Sequence, residues 1–298
     1  MPLAENEGIM NELNERFRYI REAVGFYIRL MFCQMGAEVI VLMMSGAMAL
    51  PANMSQMEMM ETMLQLLSQH SYRMIIITYL LMTVVLFLRR RKMGDGSLVL
   101  SDGLDRPVRP GEAFWGAVMG AGGCLWANVL MELMGGQLTP FEAFVSRGAE
   151  HIAATAEPRW LQFIAVVLFS SFFEEYIFRG LIFSRFRRIM SPMGALLCQA
   201  FVFASMHAGG ALSTGAMIIG TVLGLVVMKT GSLRAAVIVH ASFNLVSFCA
   251  NPFYEAIFAA ADTTKMILAV SAVVFALGAV FFFLDGTKNR QTSRNRGE

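Results

Sequence analysis

Apolar stretches recur along the whole chain, separated by short polar or basic segments. Eight of them are read as membrane-spanning helices, because a bilayer core of about 30 Å is crossed by roughly 20 apolar residues in helical form. They cover residues 24–50, 74–88, 113–133, 160–183, 191–207, 212–228, 235–250 and 266–284. The pattern predicts an all-α polytopic membrane protein with about eight transmembrane helices. Between the first two stretches, Met, Leu and Glu at mixed spacing over 51–72 predict an amphipathic helix that lies on the outer surface of the membrane.

Basic residues cluster where the predicted spans end on one side of the membrane. The strongest cluster is Arg89-Arg90-Arg91-Lys92. The others lie near the N-terminus and at 185–188, 229–234 and 288–296. Because cytoplasmic segments carry an excess of Lys and Arg, this distribution predicts cytoplasmic N- and C-termini.

Glycine and proline in the segment 93–112 indicate a linker that divides the chain. Residues 1–112 are predicted to comprise an N-terminal cytoplasmic segment, two transmembrane helices and this linker. Residues 113–298 are predicted to form a transmembrane core that ends in a C-terminal transmembrane helix and a basic tail.

The composition supports the membrane interpretation and limits the partners. Of 298 residues, 56% are hydrophobic and 15% are charged, whereas soluble proteins average about 25% charged residues. The net charge of +2 is small, and the basic residues lie at helix ends, so the sequence predicts the lipid bilayer and no nucleic acid as partner. The absence of an organelle-targeting signal and the 24 methionines favour a bacterial plasma membrane.

Two adjacent carboxylates and an arginine lie inside the fourth apolar stretch. Glu175 and Arg179 are four residues apart and are predicted to pair on one helix face, while Glu174 is turned about 100° away. An ionisable residue at bilayer depth costs at least a few kcal/mol, so it usually faces the protein interior and serves a function. Glu174 is therefore predicted to be the carboxylate available for chemistry.

The fifth and seventh stretches each bring further polar groups into the apolar layer. Phe203 and His207 are one helical turn apart, so the phenyl ring is predicted to pack against the imidazole. A carboxylate and an imidazole that meet on one water molecule suit hydrolysis, with Glu174 accepting the proton and His207 orienting the water. His240 and Asn244 share a face of the seventh stretch and would donate hydrogen bonds to the oxyanion of a tetrahedral intermediate.

The same residues allow other interpretations. Glu174, His207 and His240 form a His2Glu set that would bind zinc with one open position, and the spacing does not distinguish this from the metal-free arrangement. The ion pair and the His–Asn contact also occur as ordinary structural contacts between helices. A transporter would relay protons through these groups, but the sequence shows no repeat symmetry or paired broken helices to favour one.

Three motifs in register carry a family resemblance. Residues 174–179, Glu-Glu-Tyr-Ile-Phe-Arg, resemble an EExxxR motif; 203–207, Phe-Ala-Ser-Met-His, an FxxxH motif; and 240–244, His-Ala-Ser-Phe-Asn, an HxxxN motif. In this order they resemble the CPBP family of intramembrane proteases. That family includes the CAAX prenyl endopeptidases and bacterial bacteriocin-processing or self-immunity proteins, also called Abi proteins. The resemblance covers roughly residues 160–250.

The resemblance implies a CAAX-protease-like helical bundle that hydrolyses peptide bonds in the membrane. Glu174 and His207 would activate water, and His240 with Asn244 would form the oxyanion site. The substrate would be a membrane-embedded or membrane-anchored protein or peptide. A non-catalytic self-immunity or regulatory protein on the same fold is the alternative.

The remaining motif residues are implied to support the site. They are Glu175, Arg179 and Phe203. The family resemblance favours a glutamate-type mechanism with no metal cofactor, and zinc on the set named above is the second choice.

Overall fold

The fold is that of a computed structural model, which describes residues 2–46, 51, 53–93, 106–135, 157–207, 211–250, 266 and 269–284. Throughout the described residues, all regular secondary structure is helical. The predicted basic tail after residue 284 and most of the predicted linker lie outside them.

Nine helices are found in the described part of the chain. They are α1 Pro2–Met44, α2 Gln56–Gln69, α3 Ser71–Met93, α4 Pro110–Gly135, α5 Arg159–Ile189, α6 Pro192–Ser205, α7 Ala211–Thr230, α8 Leu233–Ala250 and α9 Ala269–Leu284.

Among the residues that the structure describes, three helical segments are long and apolar enough to cross a membrane: Gly8–Met44, Ser71–Arg89 and Arg159–Ile189. The same residues contain four further apolar helical segments that are shorter. They are Pro192–Ser205, Gly215–Thr230, Leu233–Cys249 and Ala269–Leu284. The prediction of an all-α protein built from apolar helices is confirmed, whereas the count of eight spans is not. The first helix begins at Pro2, because the polar N-terminal residues form one helix with the apolar stretch that follows.

The amphipathic helix predicted after the first span is present as α2, and none of its side chains is buried. It begins with a capping box, in which the Ser55 hydroxyl accepts from the backbone N–H of Glu58. In return, the Ser55 backbone N–H and hydroxyl both donate to the Glu58 carboxylate. These two hydrogen bonds lower the pKa of the Glu58 carboxyl below its usual range. The start of α2 is therefore defined by local interactions alone.

Helix α5 lies at the centre of the bundle between two clusters of buried apolar side chains. One cluster joins it to α1, α3, α6 and α7, and includes Phe26, Met82 and Ile177. The other joins it to α4, α6, α7, α8 and α9, and includes Leu223 and Phe282. Because apolar side chains from both sides converge on α5, its polar residues are enclosed by protein.

Helices α4 and α8 approach each other closely at Gly120. A Cβ atom at this position would meet the backbone oxygen of Val239 and the side chain of Ser242. Small residues allow helix backbones to come this close in a membrane, where packing rather than hydrophobic burial drives helix association. The contact fixes α8, which carries the HxxxN motif, against α4.

The start of α3 is hydrogen-bonded to Glu157, in the segment just before α5. The buried Glu157 carboxylate accepts from the backbone N–H of Tyr72 at 2.9 Å and of Arg73 at 3.3 Å. It also pairs with the Arg73 Nε at 3.1 Å. A carboxylate here satisfies N–H groups that the first helical turn leaves without intrahelical partners. This attachment holds the next turns of α3 alongside α5.

Candidate active site

Helix α5 carries the EExxxR motif but is not a regular α-helix. It is π-helical over Phe163–Ser170 and Glu175–Phe183, with an α-helical turn, Ser171–Glu174, between them. π-helical turns are rare and are frequently found at functional sites. The periodicity of this apolar stretch did not predict them. The two carboxylates of the motif lie at the junction between the α-helical turn and the second π-helical segment.

The Glu174 carboxylate lies between α5 and α3, and the residue is 9% exposed. Its Oε1 atom accepts from the hydroxyl of Tyr79 at 2.9 Å and from the hydroxyl of Ser170, one turn earlier on α5. Its Oε2 atom is 3.9 Å from the His240 Nε2 atom. Tyr79 and Ser170 were not predicted as site residues. Their only sequence signal is a hydroxyl group inside an apolar stretch.

Tyr79→Phe is expected to lower the free energy of unfolding by about 1.5–3 kcal/mol, the usual contribution of a hydrogen bond to a charged group. The phenyl ring would keep its stacking on Phe173, at 5.1 Å between centroids, so the change isolates the hydroxyl. The measurement is unfolding in mixed micelles. Tyr27→Phe is the control, because Tyr27 bonds the neutral Ser205 hydroxyl at an exposed position, at 3.0 Å. Equal losses in the two variants would contradict this role for Tyr79.

Glu175 forms the ion pair that the spacing predicted. Its Oε1 atom accepts from Arg179 Nη1 at 2.8 Å, and both side chains are fully buried. The same oxygen lies 2.8 Å from His240 Nδ1. Arg179 Nη2 also donates to the backbone oxygen of Gly220 at 3.0 Å. One carboxylate and one guanidinium therefore connect α5 to α7 and α8.

The contact with Glu175 determines how His240 is oriented. Because a carboxylate only accepts hydrogen bonds, His240 Nδ1 carries a hydrogen, and Nε2 faces the Glu174 carboxylate. Glu174, Glu175 and Arg179 together carry one net negative charge. The imidazolium form of His240 would neutralise it, and in that form Nε2 is also a donor.

Phe203 packs at the centre of the site, and its predicted contact with His207 is present. The two ring centroids are 4.7 Å apart. The ring also lies 4.5 Å from the Arg179 guanidinium carbon and 6.3 Å from the His240 ring. His207 follows the end of α6, and its Nδ1 atom is 3.0 Å from the Phe203 backbone oxygen. Phe203 thus limits the position of three polar side chains.

A cavity of about 160 Å³ lies beside Glu174. Glu174 and His207 both line it, and Tyr79 and Ser170 add hydroxyl groups to its wall. The remaining lining comes from α1, α3, α5 and the residue before His207. A cavity of this size with polar groups in its wall has room for several water molecules.

The cavity wall does not include His240 or Asn244. Asn244 Nδ2 donates to the backbone oxygen of Val166 at 3.0 Å and to the Ser171 hydroxyl at 3.1 Å, both on α5. The structure therefore brings Glu174 and His207 to one cavity and places His240 next to Glu174. It holds the Asn244 amide against the backbone of α5.

The zinc alternative does not fit this arrangement. Within the described ranges, no group of three or more His, Cys, Asp or Glu side chains is placed to hold a metal ion. Nδ1 of His240 faces Glu175 and Nδ1 of His207 faces a backbone carbonyl, so Nε2 is the atom of each ring that would bind a metal. Glu174, His207 and His240 do not converge on one point as three zinc ligands would.

A protein-family model described as Rce1-like, type II CAAX prenyl endopeptidase Rce1-like, matches residues 156–246. The resemblance to the CAAX proteases is confirmed. The matched segment contains the three motifs and extends from just before α5 into α8. This family and the apolar helices indicate a membrane protein and, at the level of the family, a peptidase. No curated protein and no solved structure matches the chain.

Proposed function

We propose that this protein is an intramembrane endopeptidase of the CAAX type, which hydrolyses a peptide bond in a membrane-associated protein or peptide. The observation that supports this most directly is the cavity shared by Glu174 and His207 inside a bundle of apolar helices. Two hydroxyl groups orient the carboxylate towards it. We further propose a bacterial plasma membrane as its location, with both termini in the cytoplasm as the basic clusters predict.

The reaction begins with a water molecule in the cavity, oriented by His207. Glu174 accepts a proton from this water as the oxygen bonds to the scissile carbonyl carbon. The carbon–nitrogen bond then breaks, and the proton held by Glu174 passes to the departing amine. Water supplies both the hydroxyl of the new carboxylic acid and the proton of the new amine, so no serine or cysteine nucleophile is required.

His240 and Asn244 are the proposed donors to the oxyanion. For His240, this requires the imidazolium form, in which Nε2 donates while Nδ1 stays on Glu175. For Asn244, it requires exchange of one of its two hydrogen bonds to α5 for a bond to substrate. A peptide would therefore enter as the helices around the cavity move apart, as enzymes with gated sites do.

A non-catalytic regulatory or self-immunity protein is the second candidate. One observation favours it: the Asn244 amide is already bonded to α5. Such a protein would act through its surface, and the carboxylate of Glu174 would not matter for its biological effect.

The test is a comparison of membrane peptides from cells that make the wild type or Glu174→Ala at matched expression. Cleavage products present only with the wild type are expected. Glu61→Ala, on the exposed surface of α2, is the matched control and should give the wild-type profile. Identical profiles for all three proteins, with the variant folded and any phenotype retained, would overturn the peptidase proposal in favour of the regulatory one.

A further inference from the structure

Three arginines from three helices surround one phenyl ring at the end of the bundle away from the start of α3. The guanidinium carbons of Arg29, Arg89 and Arg185 lie 6.0, 4.9 and 5.3 Å from the centroid of the Phe26 ring. Arg29 is on α1, Arg89 is near the end of α3, and Arg185 is near the end of α5. We call these three residues the arginine cluster.

The Phe26 ring does not offset the positive charge of the arginine cluster. A phenyl ring has two faces and attracts a cation most strongly within about 6 Å, so three guanidiniums cannot all stack well on it. Glu22 is an acidic side chain beside the cluster, 3.3 Å from Arg185. Arg29 and Arg185 both lie close enough to Arg89 to repel its charge, while Glu22 attracts it. Three positive charges and one negative charge leave the group with a net charge of +2.

Arg29 also has a hydrogen-bond donor without an acceptor. Its Nη1 atom is buried and has no hydrogen-bond partner among the residues that the structure describes. The guanidinium folds back over Gly25, where a Cβ atom would come within 2.7 Å of Nη1. A buried donor left unpaired costs about 1–3 kcal/mol, and more when it is charged. An anion that draws the Arg29 guanidinium away from Gly25 would supply the missing acceptor.

By contrast, Arg185 is largely satisfied within the protein. It donates to the backbone oxygen of Leu181 and to the Ser184 hydroxyl, in addition to its contact with Glu22. Arg29 and Arg89 are only half-buried, so an anion approaching from the surface can reach them. Arg185 and Phe26 would then form the floor of the site.

We propose that the arginine cluster binds a phosphate group, such as the headgroup phosphate of an anionic lipid. Guanidinium groups match phosphate oxygens in both charge and geometry, which makes arginine the side chain suited to this ligand. Basic pockets between transmembrane helices on the positively charged side of a membrane protein bind anionic headgroups in this way. A phosphodiester would lower the net charge of the group and accept from Arg29 and Arg89. This site is independent of the proposed peptidase chemistry.

The test uses the full-length protein in a neutral detergent, with phosphatidylglycerol or phosphatidylcholine titrated into the micelles while Tm is followed. Phosphatidylglycerol is expected to raise Tm of the wild type, since a ligand that binds the folded state stabilises it. Arg29→Gln and Arg89→Gln should each weaken the apparent affinity about fivefold, as the loss of one arginine contact to an anionic lipid predicts. Arg187→Gln is the matched control, because this exposed arginine lies over Phe183 and outside the cluster.

A second arm identifies the source of the phosphate. Inorganic phosphate is titrated against chloride at equal ionic strength. Stabilisation by phosphate with the same dependence on Arg29 and Arg89 would support a site for free phosphate, whereas an effect of phosphatidylglycerol alone would support a lipid site.

Without any ligand, Arg29→Gln should keep or raise Tm, because it removes an unpaired donor from a crowded cationic group.

Three results would overturn the proposal. The first is that phosphatidylglycerol raises the Tm of the wild type no more than phosphatidylcholine does, and inorganic phosphate no more than chloride does. The second is an equal loss of affinity in Arg187→Gln, which would indicate diffuse surface charge. The third is a clear fall in the Tm of ligand-free Arg29→Gln, which would show that Arg29 stabilises the fold by itself.

Discussion

Glu174→Gln is expected to lower the rate of peptide cleavage by roughly a hundredfold to ten-thousandfold, the usual contribution of a positioned general base. The amide has nearly the same shape, and it can still accept from the Tyr79 hydroxyl, but it cannot take a proton from water. His207→Gln should reduce the rate by a similar factor. Because the two residues act on the same water molecule, the double variant should be no slower than the slower single variant.

The measurement is the initial rate with purified protein and a substrate identified from the membrane peptides. The unfolding of each variant in micelles is compared with that of the wild type, to show that lost activity is not lost folding. Losses that multiply in the double variant would mean that Glu174 and His207 act independently. Such a result would contradict their shared role in activating one water.

Glu175→Gln is expected to lower the free energy of unfolding by about 3–5 kcal/mol, the typical cost of removing one partner of a buried ion pair. Arg179 would keep its charge in the centre of the bundle without a carboxylate. His240 would lose the anionic acceptor of its Nδ1 hydrogen as well. The free energy is measured by titrating the folded protein in mixed micelles with a denaturing detergent.

The control for Glu175→Gln is Glu61→Gln, which removes an exposed carboxylate and should change stability by less than about 0.5 kcal/mol. A second comparison adds Arg179→Met to Glu175→Gln. This double variant should recover part of the lost stability, because no unpaired charge remains. If the losses of unfolding free energy in Glu175→Gln and Arg179→Met simply added in the double variant, the two residues would not be coupled. That result would contradict the ion-pair account.

The sequence predicted those parts of the site that depend on contacts within one helix. The four-residue spacing placed Glu175 beside Arg179 and Phe203 beside His207, and both contacts are present. Such contacts follow from the geometry of a single helical turn. The apolar pattern likewise predicted an all-helical protein, because a bilayer leaves few other ways to satisfy the backbone.

Contacts between distant helices could not be predicted in this way. The Tyr79 hydroxyl reaches Glu174 across 95 residues of sequence, and His240 reaches Glu175 across 65. Nothing in the spacing of one helix specifies which side chain a neighbouring helix presents to it. The two hydrogen bonds of Asn244 to α5 are likewise contacts between helices far apart in sequence. The π-helical turns of α5 also escaped prediction, because apolar periodicity over so few turns does not distinguish α from π geometry.

Residues 156–246 do not form the whole wall of the cavity. Leu30, Met74 and Tyr79 line it from outside the matched segment, and the apolar cluster on that side of α5 also draws on α1 and α3. A fragment limited to the motifs would keep every proposed catalytic side chain but would lose part of the wall of its cavity. Any transplant of this chemistry to another scaffold must therefore supply substitutes for two helices that carry none of the motifs.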